Sequence, residues 1–216
     1  MNTHTKIALL GATGKAGRYL VNQLLENGYS VKALIRDPKN YTLTHPLLEI
    51  VEGDIKEFET AVALLTGCTI VISAIGQVKG ETLISSLATA NVIMVMDKLN
   101  IRRYILLTGS NLDVPGDQKS QRSQEGAAWM KNTFPVEVAD KQRTYDILSS
   151  NNLDWTLVRL PWIEQTDERR GLSIDLLDCP GERISTTDLA DFLIAQITDT
   201  RYIRKVPFVA SLPESV

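Results

Sequence analysis

Lys6-Ile7-Ala8-Leu9-Leu10-Gly11-Ala12-Thr13-Gly14-Lys15-Ala16-Gly17 runs from a short apolar strand through a glycine turn into an amphipathic stretch. Residues 16–26 place Tyr19-Leu20, Gln23-Leu24 and Asn27 at three-to-four spacing, the period of a helix face. Asn27-Gly28 ends that helix, because glycine accepts the left-handed conformation beyond a helix terminus. A glycine triplet alone is weak, but between a strand and a helix it reads as a dinucleotide-binding fingerprint. The glycines let the backbone turn tightly and approach a pyrophosphate, and the free N–H groups and dipole of the helix start hold the anion. A tight turn with no ligand is the plainer alternative. The spacing is Gly-x-x-Gly-x-x-Gly, and Ala16 after Lys15 excludes a Walker loop.

Outward from this turn, strand-length apolar runs alternate with helical patterns. Strands are expected at Ser30–Ile35 and at residues 48–51, 69–74, 103–108 and 155–159, with a short last one at 205–209. Helices are expected at 57–65, 81–99 and 188–197, the last behind a Thr186 or Thr187 cap. This alternation predicts an α/β fold with a doubly wound parallel sheet, helices on both faces and right-handed crossovers. Residues 109–124, rich in Ser, Asp, Gln and Gly, read as a long mobile loop over the carboxyl edge, where open α/β sheets bind ligands. Residues 1–216 form one domain in this reading, and residues 160–216 contribute a small substrate-side lobe.

Composition narrows the function classes. The 216 residues are 44% hydrophobic and 23% charged, an ordinary globular balance that excludes disorder. Lys plus Arg number 23 and Asp plus Glu 26, so the net charge of −3 gives no general pull toward nucleic acid or anionic membrane. Cys68 and Cys179 make no disulfide framework and no CxxC pair, and His4 and His45 stand alone, so no metal cluster is expected. No apolar run reaches the ~18 residues of a membrane span, and the one near the start is shorter than the ~7–15 residues of a signal-peptide core. A reduced, cytoplasmic protein is the expectation.

Five further stretches carry a family likeness: Ala33-Leu-Ile-Arg-Asp-Pro, Glu52-Gly-Asp-Ile, Val71-Ile-Ser-Ala-Ile-Gly, Leu153-Asp-Trp-Thr-Leu-Val-Arg-Leu-Pro and Ile184-Ser-Thr-Thr-Asp-Leu-Ala. With the glycine turn, they resemble the atypical short-chain dehydrogenase/reductase superfamily over nearly the whole chain. Within it the chain is similar to the small NAD(P)H-binding branch that includes nitrogen-metabolite-repression regulators and flavin/biliverdin reductases.

Cofactor-binding positions follow. Gly11, Thr13, Gly14, Lys15, Ala16 and Gly17 form the pyrophosphate turn. Where an NAD-preferring site carries Asp or Glu at the end of the second strand, this chain has Arg36, whose guanidinium can take a 2′-phosphate in a bidentate contact. Arg36, with Lys15 or Lys39, argues for NADP(H) ahead of NAD(H); an exposed arginine paired with Asp37 is the alternative. The resemblance implies that Asp54-Ile55 contacts the adenine, that Ala74-Ile75-Gly76 lies along the cofactor ribose, that Lys141 reaches the nicotinamide ribose, and that Pro161 passes nearby. Asp54 as a simple turn aspartate and Lys141 as a solvated helix lysine remain the competing readings.

No tyrosine is followed by lysine four residues later, so the Tyr-x-x-x-Lys pair of standard short-chain dehydrogenases is missing. The catalytic candidates are Ser110 and Lys141. A helix over 136–149 puts Lys141, Tyr145 and Leu148 on one face, with Tyr145 read as a packing residue. Trp155 reads as core and Trp162 stands open between core and cofactor wall. Arg102-Arg103 and Arg169-Arg170 read as solvated faces, and both cysteines as inert. Hydride transfer needs orientation and water exclusion from the protein more than a proton relay. The first functional reading is therefore an NADPH-dependent reductase of a small conjugated acceptor such as a quinone or flavin. Its alternatives are a redox sensor that binds NAD(P) without turnover and reports through a protein partner, and a nucleotide-sugar epimerase or dehydratase.

Overall fold

The computed structural model describes residues 5–77 and 83–213. Ten strands are present among them: β1 Lys6–Leu10, β2 Ser30–Ile35, β3 Leu48–Glu52, β4 Ile70–Ser73, β5 Arg103–Gly109, β6 Asp154–Leu160, β7 Trp162–Glu164, β8 Leu172–Asp175, β9 Arg183–Ser185 and β10 Phe208–Ser211. The helices are α1 Gly17–Glu26, α2 Phe58–Leu65, α3 Ser85–Leu99, α4 Gln121–Thr133, α5 Pro135–Ser149 and α6 Thr186–Ala195. Eight strands form one sheet in the order β3-β2-β1-β4-β5-β6-β10-β8. All neighbours are parallel except β8, which runs antiparallel to β10 at the edge. Strand order reverses between β1 and β4, which opens a crevice at their carboxyl ends.

Alternation along the strands builds two cores. Ala8 and Leu10 of β1, Tyr104 and Leu106 of β5, and Trp155 and Leu157 of β6 face one side, under α2, α3 and α5. Ile7 and Leu9 of β1, Ile105 of β5, and Val158 and Leu160 of β6 face the other, under α1 and α6. With both faces buried, the central strands read as continuous apolar runs. Of the C-terminal stretch, β8 and β10 extend the main sheet and α6 packs beside α1. Trp162 of β7, with Cys179, Gly181 and Glu182 between β8 and β9, lines a cleft with the residues at the end of β5.

Several expectations need correction. The region read as loop to residue 124 becomes helical at Gln121, and α4 continues to Thr133 without a single buried residue. The helix expected from residue 81 begins at Ser85; Glu81 and Thr82 lie outside the described residues. Ser185, not Thr186 or Thr187, caps α6, its side chain accepting from the Asp188 N–H at 2.9 Å. The last strand is Phe208–Ser211, three residues later than expected, because Lys205 makes only an isolated bridge to Thr156. Arg103 is no solvated arginine: it donates to the carbonyls of Gln196 and Asp154 and to Thr156 Oγ1. Arg170 is likewise held by Glu164 and Glu168.

Two contacts brace the fold beneath the site. A Cβ on Gly17 would lie 1.9 Å from the Gly11 carbonyl oxygen, so only glycine lets α1 start this close to the end of β1. Arg159 is fully buried on β6. It grips both Asp117 carboxylate oxygens at 2.7 Å, donates to the Val206 carbonyl at 2.9 Å, and stacks 3.4 Å from the Phe208 ring centroid. This pins the segment after β5 to the sheet. Among the described residues no helix is long and apolar enough to cross a membrane.

Gly17→Ala should cost about 3 kcal/mol or more of stability in urea denaturation, since a methyl there meets backbone on a strand that cannot move. Arg159→Met should cost ~3–5 kcal/mol by leaving the Asp117 carboxylate with only the longer Lys119 contact at 3.7 Å, and adding Asp117→Leu should restore most of the loss; a double variant no more stable than the single would show that the pair is not the source.

Candidate functional site: two clefts on the carboxyl edge

A cleft of about 400 Å³ opens at the β1/β4 switch point. Gly11, Thr13, Gly14, Arg36, Asp54, Ile55, Ala74, Ile75 and Gly76, all nominated from sequence, line it together. Gly11 has φ +80 and its missing Cβ would lie 2.7 Å from the Ala74 carbonyl, so the turn rests against the end of β4. The Gly14 N–H closes the turn onto the Gly11 carbonyl at 3.0 Å. Helix α1 then begins at Gly17; the Arg18 N–H donates to the Gly14 carbonyl at 3.1 Å and the Leu20 N–H to the Ala16 carbonyl at 3.0 Å, so the glycine turn runs directly into the positive end of the helix.

The far wall is set by buried polar side chains that the sequence did not flag. Asn91, on the buried face of α3, donates its Nδ2 to the carbonyls of Ile55 at 2.9 Å and Lys56 at 3.1 Å, which fixes the turn after β3. Asp54 serves that turn too, accepting from the Lys56 N–H at 3.0 Å, so it is both turn aspartate and cleft residue. Asp37 and Asn40 join Arg36 at the end of β2. The Asp37 carboxylate is engaged by the Lys39 N–H at 3.2 Å. Asn91 had a signal available, a polar residue at the apolar period of a helix; Asn40 had none.

The remaining nominees lie elsewhere. Ala16 and Gly17 are buried beneath the turn and do not line the cleft. Lys15 is exposed and extends over Trp162, 5.2 Å from its ring centroid. Ser110, Lys141 and Pro161 gather in a second cleft of about 490 Å³ beyond β5, with Gly109, Asn111, Trp129 and Trp162. The Ser110 N–H is tied to the Leu160 carbonyl at 2.8 Å, which joins the ends of β5 and β6. Trp162 is 70% exposed, whereas Trp155 is core. Tyr145 packs against the α2–α3–α5 core, as expected of it.

Lys141 is not a solvated helix lysine. Its neighbour Asp140 is buried and accepts from the Ser85 N–H at 2.9 Å and from the Ser86 N–H and hydroxyl, so α5 caps α3 and is locked in place. That sets the Lys141 ammonium over Gly109, 3.3 Å from where a Cβ would stand. Burial lowers the Lys141 pKa below the ordinary lysine value, against a smaller opposing pull from Glu137. Burial pushes the Cys68 thiol up to about 11 and raises that of Cys179, which suits packing rather than reactivity.

A lysine pKa depressed on folding means that the folded chain sheds this proton more readily than the unfolded one. Wild-type stability therefore rises with pH between the folded pKa and the unfolded value of about 10.4. Lys141→Met should melt higher than wild type at pH 7, with the gap narrowing as pH approaches 10; a lower melting temperature at pH 7 would show that the ammonium is stabilising in place.

A family model described as NAD(P)H-binding matches residues 11–200. An uncharacterised chloroplastic protein of Arabidopsis thaliana is 27% identical over 164 residues, 71% of this chain and 58% of that protein, so the match spans little more than half of the relative's length. Among solved structures, a short-chain dehydrogenase/reductase from Veillonella parvula in complex with NADP superposes with a TM-score of 0.79 at 19% identity, covering 96% of this chain and 94% of its own. An oxidoreductase from Lactococcus lactis gives 0.78 at 20% identity, covering 96% and 91%. These two structures speak for the fold. With the glycine turn set at the switch point and the family match running from Gly11 through α6, the chain belongs to the NAD(P)H-binding family.

Proposed function

We propose that the protein is an NADPH-dependent reductase of a small conjugated acceptor, of the quinone or flavin kind. The observation that carries this is the convergence of nine dinucleotide-motif residues on one cleft, beside a second, aromatic-lined cleft on the same sheet edge. In this reading the N–H groups of the glycine turn and α1 hold the pyrophosphate. Asp54-Ile55 borders the adenine, and Ala74-Ile75-Gly76 runs along the ribose. Arg36 takes the 2′-phosphate, which favours NADP(H) over NAD(H). The Veillonella structure described with NADP adds support for the phosphate form.

Lys141 orients the nicotinamide ribose, Ser110 polarises the acceptor, and Pro161 with Trp162 walls the approach. Bound NADPH supplies a hydride, and the acceptor takes its second hydrogen as a proton from solvent, giving NADP+ and the two-electron-reduced acceptor. The redox-sensor alternative shares the nucleotide cleft and lacks turnover; in its favour stands the absence of any Tyr-x-x-x-Lys pair.

Purified protein titrated with NADPH and NADH, then mixed with a panel of quinones and flavins, tests both. Multiple turnovers of NADPH support the reductase. Tight binding without turnover supports the sensor, and no binding of either nucleotide removes both. Arg36→Ala should weaken NADPH binding roughly ten- to a hundredfold, the loss of a charge-assisted contact, while changing NADH binding little. Equal losses would sink the phosphate assignment.

A further inference from the structure

The second cleft contains one polar side chain that nothing in the fold satisfies. Asn111 is 7% exposed, lines the cleft two residues beyond the end of β5, and its buried Nδ2 has no hydrogen-bond partner. Leaving an amide donor buried and unanswered is costly, and in the lining of a cleft it marks a group that a ligand can complete.

The surroundings say what kind of ligand. A Cβ on Gly109 would lie 2.4 Å from Asn111 Oδ1 and 3.3 Å from Lys141 Nζ, so the carboxamide and the ammonium converge over the same bare stretch of backbone. Glycine at 109 is what lets the Asn111 carboxamide lie against the backbone there, beside the ammonium. Arg122, the other cation on this cleft, is already engaged by the Cys179 carbonyl at 2.9 Å and by Glu182 at 3.4 Å. The rest of the lining includes Trp129, Met130 and Trp162, and the two tryptophans are 60% and 70% exposed. Large exposed aromatics beside a small polar focus suit a flat ring that carries one oxygen.

We propose that Asn111 and Lys141 form a clamp for a single ring-borne oxygen of the acceptor, and that the second cleft takes fused-ring ligands whose oxygen is a carbonyl when oxidised and a hydroxyl when reduced. Asn111 suits both forms. The two ends of a carboxamide are nearly isosteric, so a half-turn presents N–H to a carbonyl or C=O to a hydroxyl. An ammonium can only donate, so Lys141 serves the carbonyl and the oxyanion that develops from it. The clamp deepens the reductase reading and rests on it for the source of hydride, but it is a statement about binding and can be tested without turnover.

Calorimetric titration of the full chain with 2-naphthol, 2-acetylnaphthalene and naphthalene, in the presence of NADP+, isolates the oxygen. Wild type should bind both oxygenated probes about tenfold more tightly than naphthalene. Asn111→Leu should reduce that preference at least about fivefold, keep NADP+ affinity within about twofold, and melt no lower than wild type, since an apolar isostere relieves an unanswered amide. Absence of oxygen preference in wild type, or its survival in Asn111→Leu, overturns the clamp. Loss of NADP+ affinity equal to the loss of naphthol affinity also overturns it, by assigning the amide to the nicotinamide. If wild type fails to bind NADP+, the reductase reading falls, while the probe preference of the nucleotide-free protein still judges the clamp.

Discussion

The backbone of Gly17 lies against the carbonyl of Gly11 with no room for a methyl group, and the working geometry of the carboxyl edge is measured from that contact. It fixes where α1 starts relative to β1, and therefore where the helix's positive end sits. It also holds Gly11 against Ala74, which sets the width of the crevice between β1 and β4. Ala16 and Gly17 thus lie beneath the turn, as the floor on which it rests. A few tenths of an ångström lost here would shift the whole glycine turn.

Above that floor, loops are held by buried polar side chains that reach across from another element. Asn91 of α3 holds the turn after β3, Asp140 of α5 holds the start of α3, and Arg159 of β6 holds the segment after β5 through Asp117. Each is satisfied by several partners, which is what makes its burial tolerable. Together they turn what would be flexible connections into walls. Asn111 departs from this pattern in the same neighbourhood, and the contrast gives its unpaired amide its meaning.

The strand–turn–helix unit and the central strands were legible because burial on both faces writes itself as apolar runs, and because the glycine spacing has one backbone geometry that suits it. The nine nominees that meet in the first cleft were legible for the same reason: each follows a strand's carboxyl end, so topology alone brings them together. Helix α4 was not legible, since Gln121–Thr133 buries nothing and so has no apolar stripe to detect. Strands of three residues such as β7 and β9 carry too little period to read. Arg103 and Arg170 looked like surface charges because their partners, the Gln196 carbonyl and Glu164, are set by tertiary packing. Nothing in the polar segment around Asn111 singles out its amide.

The linings of the two clefts divide cleanly along the chain. Every residue of the first comes from 11–84, and every residue of the second from 109–182. Lys15, beside the glycine turn, lays its side chain over Trp162 of the second cleft. On the proposed reading, the side chains at Trp129, Met130 or Trp162 can be exchanged, and the accepted molecule changed, without touching the lining of the first cleft.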